Sequence, residues 1–296
     1  MAKSSPALTN LGKLYWPDEK ITKGDLINYY ETIAPFILPY LKNRPLSLKR
    51  NPNGIKDAGF YHKDAGDIAP SWMKTADFYS ESSNKTVHYL VCNDVRSLLF
   101  IANLGCIEMN PWNSTANKPD APDYLVMDID PSDQNTFDQV VDVALMIKEI
   151  LDKGGLQGFC KTSGSTGLHV YIPCKKKYTY DETREFARLI ATLVVEQLPR
   201  TTTIERSLAK RKKDKIYVDY LQNSRGQTLA SAYSARPKPG ATVSAPLEWK
   251  EVKHGLKLSD FTIKTIHKRV KKKGDLFAGV LQKGIDIPKA LKILGK

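Results

Sequence analysis

Tyr124-Leu125-Val126-Met127-Asp128-Ile129-Asp130 is an apolar, β-prone run that ends in two carboxylates one residue apart. Side chains alternate along a strand, so Asp128 and Asp130 share a face, with Cα atoms roughly 6.5 to 7 Å apart. Unneutralised charges that close repel each other and make a poor core, whereas they suit a divalent cation. A solvated strand end looks the same when it stands alone, and the turn residues Pro131-Ser132-Asp133 follow directly.

Working outward from this run, the pattern reads strand, helix, strand. Thr136 opens a helix with Val140, Val141, Ala144, Ile147, Ile150 and Leu151 at helical spacing, and Gly154-Gly155 ends it. A strand around Gln157 to Lys161 reaches the turn Thr162-Ser163-Gly164-Ser165-Thr166-Gly167, and a second strand, Leu168 to Ile172, leaves it. Thr179 with Glu182 forms a capping box for a long helix running to Leu198 and stopped by Pro199. In the last clear strand, Ile216 to Leu221, alternation sets Asp219 on the face opposite Ile216, Val218 and Tyr220.

Before residue 123 the elements are smaller. Thr22 with Asp25 resembles a capping box, and Leu26, Tyr29, Tyr30 and Ile33 keep helical spacing until Pro35 and Pro39 are expected to stop the helix. Strands follow at Leu46 to Arg50, Gly59 to Lys63 and Val87 to Cys92, then a helical run near Ser97 to Leu104 and the segment Ile107 to Trp112. No repeat and no low-complexity linker divides the chain. The expectation is an α+β fold forming one compact, two-lobed domain over 1–296, with an N-terminal αβ module (about 1–115), a catalytic core (116–250) and a basic helical C-terminal segment (251–296).

Charge narrows the partners. Lys plus Arg number 45 against 32 Asp plus Glu in 296 residues, a net charge of +13, which favours polyanions and nucleic acid first. No apolar run approaches ~18 residues, and residues 1–5 lead into no signal-like segment, so a membrane role is not expected and a cytoplasmic, nucleoid-associated location is. Cys92, Cys106, Cys160 and Cys174 lack metal-ligand spacing and read as reduced core thiols. The run Lys268-Arg269-Val270-Lys271-Lys272-Lys273 before Gly274 reads equally as a solvated helix end or a nucleic-acid contact.

A third carboxylate at a strand end, Asp219, would complete a clamp with Asp128 and Asp130 for two divalent ions ~3.5 to 4 Å apart, the arrangement phosphoryl and nucleotidyl transfer uses. The turn from Ser163 to Gly167 adds glycines, hydroxyls and His169 two residues beyond, groups that suit a triphosphate. The Gly-Lys-Ser/Thr ending of a Walker loop is absent, and by itself the turn reads as a tight hairpin with His169 an ordinary half-buried strand histidine.

The ordered motifs YLVMDIDPS, KTSGSTGLHVYIP, KIYVDYLQN and ASAYSARPKPG, together with LTNLGKLYWPDEKITKGDLINYYE, RPLSLKRNPNGI, GFYHK and NLGCIEMNPW, resemble the polymerase domain of the prokaryotic ligase D end-joining system. That domain is a branch of the archaeo-eukaryotic primase superfamily, and the resemblance covers nearly the whole chain, in the stand-alone form found beside a separate ligase. It implies a primase-like core with an RRM-like sheet and helices. It also implies Asp128, Asp130 and Asp219 as catalytic ligands of manganese or magnesium, and Ser163, Thr166, His169, Gln222 and Arg236 around the incoming nucleotide. Lys49, Phe60 and Tyr61 would meet nucleotide and template bases, where stacking is worth roughly 1 to 3 kcal/mol per base. Lys13 and Lys23 would grip a downstream DNA 5′-phosphate, and Lys210, Arg211, Lys212 and Lys213 would form a DNA-binding loop. Two departures stand out: Asn110 where many relatives have histidine, and Asp64 after Lys63 where another histidine is usual.

The expected activity is therefore template-directed nucleotidyl transfer, of polymerase or primase type, filling gaps and extending broken DNA ends in non-homologous end joining with a preference for ribonucleotides. NTP or dNTP, gapped or broken DNA, a separate ATP-dependent DNA ligase and a Ku-type end-binding protein are the implied partners. A primase that starts chains without a primer, or a DNA-end-bridging protein with weak catalysis, fits the same basic groups. A two-metal nuclease shares the carboxylates but has no use for the Ser/Gly/His turn.

Overall fold

The computed structural model describes residues 7–81 and 83–295; residues 1–5, read above as leading into no signal-like segment, lie outside them. The chain divides into two compact units that do not follow chain order. The first takes in the described residues up to Asn117 with Thr228–Ser244 and Ser259–Gly274, and the second Lys118–Gln227, Ala245–Leu258 and the residues from Asp275 on.

In the first unit β1 (Leu14–Trp16) and β2 (Ile21–Thr22) pair and lead into α1 (Lys23–Leu41). The capping box is present: Asp25 N–H donates to the Thr22 hydroxyl, and Thr22 N–H to the Asp25 carboxylate. The helix does not stop at Pro35 or Pro39, contrary to the expectation above. The two prolines lie four residues apart on the exposed side, so the carbonyls of Glu31 and Pro35 that lose their donors face water. The opposite side buries Leu26, Tyr30, Ile33 and Ile37, and burial of that stripe outweighs the two lost hydrogen bonds.

β3 (Leu46–Arg50) lies between β4 (Phe60–His62) and β7 (Cys106–Pro111), while β5 (Thr75–Ser80) and β6 (Lys85–Leu90) form a separate hairpin. The helix α2 (Val95–Asn103) starts at Asp94, which caps Ser97 N–H, and packs on α1. Tyr29 and Tyr30 hydroxyls donate to the carbonyls of Tyr233 and Ile107, both at 2.6 Å, tying α1 to Thr228–Ser244 and β7. The basic run becomes the helix Ile266–Lys273, closed by Gly274 at φ 68°, with Lys271, Lys272 and Lys273 in its last turn. There they complement the negative end of the helix dipole.

The second unit holds a six-stranded sheet. β8 (Tyr124–Asp130), α3 (Phe137–Lys153), β9 (Phe159–Thr162), β10 (Leu168–Pro173), α4 (Tyr180–Gln197), β11 (Thr202–Thr203), β12 (Ile216–Asp219) and β13 (Pro246–Leu247) follow in chain order, but lie in the spatial order β11-β12-β8-β10-β9-β13. The four central strands with two crossover helices give the split β-α-β arrangement of the expected RRM-like sheet. Thr136 with Gln139 and Thr179 with Glu182 form complete capping boxes. β8 runs through the centre: Leu125, Val126, Met127 and Ile129 are all fully buried. All four cysteines are buried and unbridged, and burial pushes the Cys160 thiol up to about 12.

β12 pairs with β8 only as far as Asp219 opposite Asp128. Beyond that point the Asn223 side chain replaces the strand: Val126 N–H donates to its Oδ1 at 2.7 Å, and its Nδ2 donates to Val126 O at 2.8 Å. Asn223→Ala strips both partners from a buried backbone pair and should destabilise the protein by about 2 to 3 kcal/mol in urea unfolding, with the m-value unchanged.

Candidate active site

One face of the second unit's sheet collects the three aspartates and the histidine that the sequence singled out. Asp128 and Asp130 lie on it because 124, 126, 128 and 130 alternate with the buried 125, 127 and 129. Register does the rest: Asp128 stands directly opposite Asp219 on β12 and opposite His169 on β10, and His169 in turn opposite Lys161 on β9. Four strands thus contribute one lateral row, Lys161-His169-Asp128-Asp219. Tyr217 faces Asp130 in the next row.

The other end of that face is aromatic. Tyr124 and Tyr171 have ring centroids 4.9 Å apart, and Phe277 meets Tyr171 at 5.1 Å and Phe159 at 6.4 Å. A segment near the C-terminus therefore covers the apolar half of the face, and the carboxylates occupy the other half.

The carboxylates are electrostatically strained. Asp130 keeps solvent contact at the strand end, yet desolvation by its surroundings pushes its carboxyl up to about 6, helped by the charges of Asp128 and Asp219 and opposed by Arg211. Burial and Asp128 raise Asp219 as well, against hydrogen bonds that lower it. Those bonds come from Leu221 N–H at 2.7 Å, the Tyr217 hydroxyl at 3.1 Å and the Gln222 amide at 3.3 Å. Gln222 thus reaches the third carboxylate rather than standing apart from it. His169 Nε2 lies 3.2 Å from Asp128 Oδ1.

Among the described residues, no three His, Cys, Asp or Glu side chains close around a common point as they stand. The Asp219 oxygens are turned toward their donors, and like charges spread apart. The donor set nonetheless fits a divalent cation: three hard carboxylates at adjacent strand positions, two of them raised by burial and mutual repulsion that a cation would relieve.

The turn after β9 is built around Ser163. Its hydroxyl accepts from Ser165 N–H and Gly167 N–H, both at 3.0 Å, while its own N–H donates to Gly167 O at 2.9 Å. An oxygen already accepting twice can only donate to a further partner, the polarity a phosphate oxygen requires. A Cβ at Gly167 would lie 2.0 Å from Ile129 O, so only glycine lets the turn close against β8. Thr166 is exposed at its tip.

In the basic loop, Lys210, Lys212 and Lys213 are exposed, but Arg211 is folded back. Its guanidinium sits 4.1 Å above the Tyr217 ring and donates to Glu205 O and Arg206 O. It therefore acts on the carboxylates, not only on solvent. Asn135 Nδ2 donates to Asp214 O at 2.8 Å and anchors the loop's far end.

The first unit carries its own polar face. Lys49 stands opposite Glu108 in the register and donates to Ala58 O at 3.0 Å, with its ammonium 4.9 Å from the Tyr61 ring centre. Arg236 Nε donates to buried Glu108 at 2.6 Å. Phe60 and Tyr61 are 48% and 60% exposed, which a core role does not explain. Asn110 is buried and donates to Ser47 O at 3.2 Å, a structural amide where a titrating ring would otherwise sit. Asp64 accepts from His88 N–H and pairs with Lys85. Lys23 is buried, donates to Thr9 O at 2.8 Å, and its pKa is lowered by burial and by the neighbouring Lys13 charge. Two like charges kept that close suit a dianion.

Lys161 and Glu108 were not singled out from sequence. A lysine or glutamate within a strand reads as an outward surface charge, and only the register shows each to be a buried partner of a predicted site residue.

The sequence model of the LigD primase-polymerase domain matches residues 22–277. The bifunctional non-homologous end joining protein LigD of Bacillus subtilis is 36% identical over 268 residues, covering 90% of this chain and 42% of that protein. The multifunctional LigD of Mycolicibacterium smegmatis is 29% identical over 249 residues, covering 83% and 32%. The chain thus spans less than half the length of these curated relatives. Among solved structures, the polymerase domain of Mycobacterium tuberculosis Ligase D in complex with DNA superposes with a TM-score of 0.88 at 27% identity, covering 96% of this chain and all of that one.

Desolvation and the repulsion among the carboxylates affect stability even without a cation. Asp130 has a folded pKa of about 6, above the ordinary 3.8. Its contribution to stability is therefore complete below about 3.8 and lost as pH rises through 6. In chelator at pH 7, Asp130→Asn should stabilise the protein by about 1 kcal/mol once solvent screening at this partly exposed carboxylate is allowed for, and by nothing at about pH 3, below the unfolded pKa. Denaturant melts at the two pH values check this.

Proposed function

The chain belongs to the family of LigD primase-polymerase domains and is a nucleotidyltransferase of the polymerase type; on that premise we propose that it fills short gaps and extends broken DNA ends in double-strand-break repair. The observation that carries the reading is the register that places Asp128 directly between His169 and Asp219, at the end of a sheet face whose other half is filled by aromatic rings.

Asp128, Asp130 and Asp219 would hold two divalent ions, manganese or magnesium. Bound there, such ions would sharpen a 3′-hydroxyl as nucleophile and neutralise the leaving pyrophosphate. The chain's own groups bind and orient. His169, Ser163 and Thr166 donate to triphosphate oxygens, and Gln222 holds Asp219 in place. Arg236, kept in one orientation by Glu108, offers a guanidinium to phosphate. Phe60 and Tyr61 supply exposed rings for stacking on bases, and Lys49 is held over one of them. Lys13 with Lys23 takes the downstream 5′-phosphate, and Lys210, Lys212 and Lys213 follow the DNA backbone. Ribonucleotide preference and work beside a separate ATP-dependent ligase and a Ku-type protein complete the proposal. Among the described residues no helix is long and apolar enough to cross a membrane.

Primer extension on a short gapped duplex tests the reading, with ribo- or deoxynucleotides, manganese or magnesium, and with or without the downstream 5′-phosphate. Templated addition stimulated by that phosphate is expected. Asp128→Ala and Asp219→Ala should each reduce it at least ~100-fold while DNA affinity stays within about twofold. Phosphate-dependent binding without any addition by the unaltered protein would instead identify an end-bridging protein.

A further inference from the structure

The row of side chains across the second unit's sheet contains one member with no part in the proposed chemistry. Lys161 is fully buried within β9, yet it is a lysine. Its Nζ lies 2.8 Å from His169 Nδ1 and 5.3 Å from the centre of the Tyr171 ring. On the other side of the imidazole, Nε2 lies 3.2 Å from Asp128 Oδ1. His169 is therefore held between the lysine amino group and a carboxylate.

We propose that Lys161 is a positioning residue that fixes His169 as the Nε2–H tautomer, so that the ring presents its one hydrogen-bond donor to Asp128 in the free protein and to a phosphate oxygen when the nucleotide is bound. The functional half of this inference rests on the polymerase reading above. An ammonium has only hydrogens to give, so the Nδ1 it meets must accept. A neutral imidazole that accepts at Nδ1 carries its proton on Nε2, where an acceptor waits. The opposite tautomer would set N–H against ammonium and a lone pair against a carboxylate, two repulsions in place of two hydrogen bonds. An imidazolium would keep the first of those repulsions.

Geometry makes the device rigid. All three residues sit on hydrogen-bonded strands at directly opposed positions, so the register fixes the backbone positions from which Lys161 and Asp128 reach the ring. β9 is itself held at this point: Thr162 N–H donates to Ala245 O, and Ala245 N–H to the Thr162 hydroxyl, both at 2.9 Å. Carboxylate oxygens and phosphate oxygens are both acceptors. A histidine locked as a donor suits either, whereas one free to present its lone pair would repel both.

The test uses the full chain without metal, labelled with 15N in its imidazoles. The five histidines are few enough to resolve, and His169→Gln assigns the signal. In the unaltered protein near neutral pH, His169 should show a protonated Nε2 and a bare Nδ1. A protonated Nδ1, whether as the other tautomer or as imidazolium, overturns the proposal and needs no variant to do so. Lys161→Met should shift the tautomer signature, and Lys161→Arg, which also only donates, should restore it; an unchanged His169 signal in Lys161→Met overturns the proposal.

In single-nucleotide incorporation, Lys161→Met should raise KM for the nucleotide ~10-fold, as loss of a group supporting a ligand-binding histidine typically does. In a His169→Gln background it should add nothing further. An unchanged KM would remove the functional half of the inference. If the unaltered protein adds no nucleotide at all, the polymerase reading fails and the 15N spectrum still decides the tautomer.

Discussion

The register of β8 between β10 and β12 is the constraint on which the second unit's chemistry depends. Side-chain direction in a strand has a period of two, so a slip of one residue would turn Asp128 and Asp130 into the core and bring Met127 and Ile129 out. The burial of Leu125, Met127 and Ile129 forbids that slip, and Gly167 and Asn223 fix the strand from either side, one by close approach and one by hydrogen bonds. Hydrophobic burial on one face thereby sets ångström-level placement of charges on the other.

Concentrating those charges costs stability, and the protein offsets part of the cost with groups near the carboxylates. Arg211 folds back over Tyr217 and lowers the Asp130 pKa against the prevailing upward push. Leu221, Tyr217 and Gln222 all donate to Asp219. The remaining repulsion is what makes the cluster receptive to cations. The first unit solves a related problem differently: Glu108 is buried against Arg236, so a guanidinium that would otherwise sample many rotamers is held in one.

Much of the architecture was legible from local signals. Capping boxes at Thr22 and Thr179 and the apolar spacing after Thr136 placed three helix starts, and alternation placed β8 and β12 with their carboxylates on defined faces. Local signals failed where tertiary packing overrode them. Pro35 and Pro39 read as a stop, but a four-residue spacing on a solvated face lets the helix continue. The hairpin strand Thr75–Ser80 escaped notice because its half-buried face, Ala76, Phe78 and Ser80, carries a single large apolar side chain. The discontinuous units were also hidden, since Thr228–Ser244 joins the first unit through partners far away in sequence, such as Tyr29 and Met109.

The sequence by itself determined which chemistry the protein could hold: the Asp-x-Asp strand end, the third aspartate, the Ser/Gly/His turn and an excess of positive charge. Residue type and short-range periodicity carry that information, because strand alternation and capping act within a few residues. Only the tertiary structure decided which of those groups meet. Cross-strand register joins positions as distant as 128 and 219 and sets Lys161 behind His169, while the packing of a distant loop brings Arg236 onto buried Glu108. Pairing between strands is set by long-range burial and hydrogen bonding, and no local stretch of sequence encodes it.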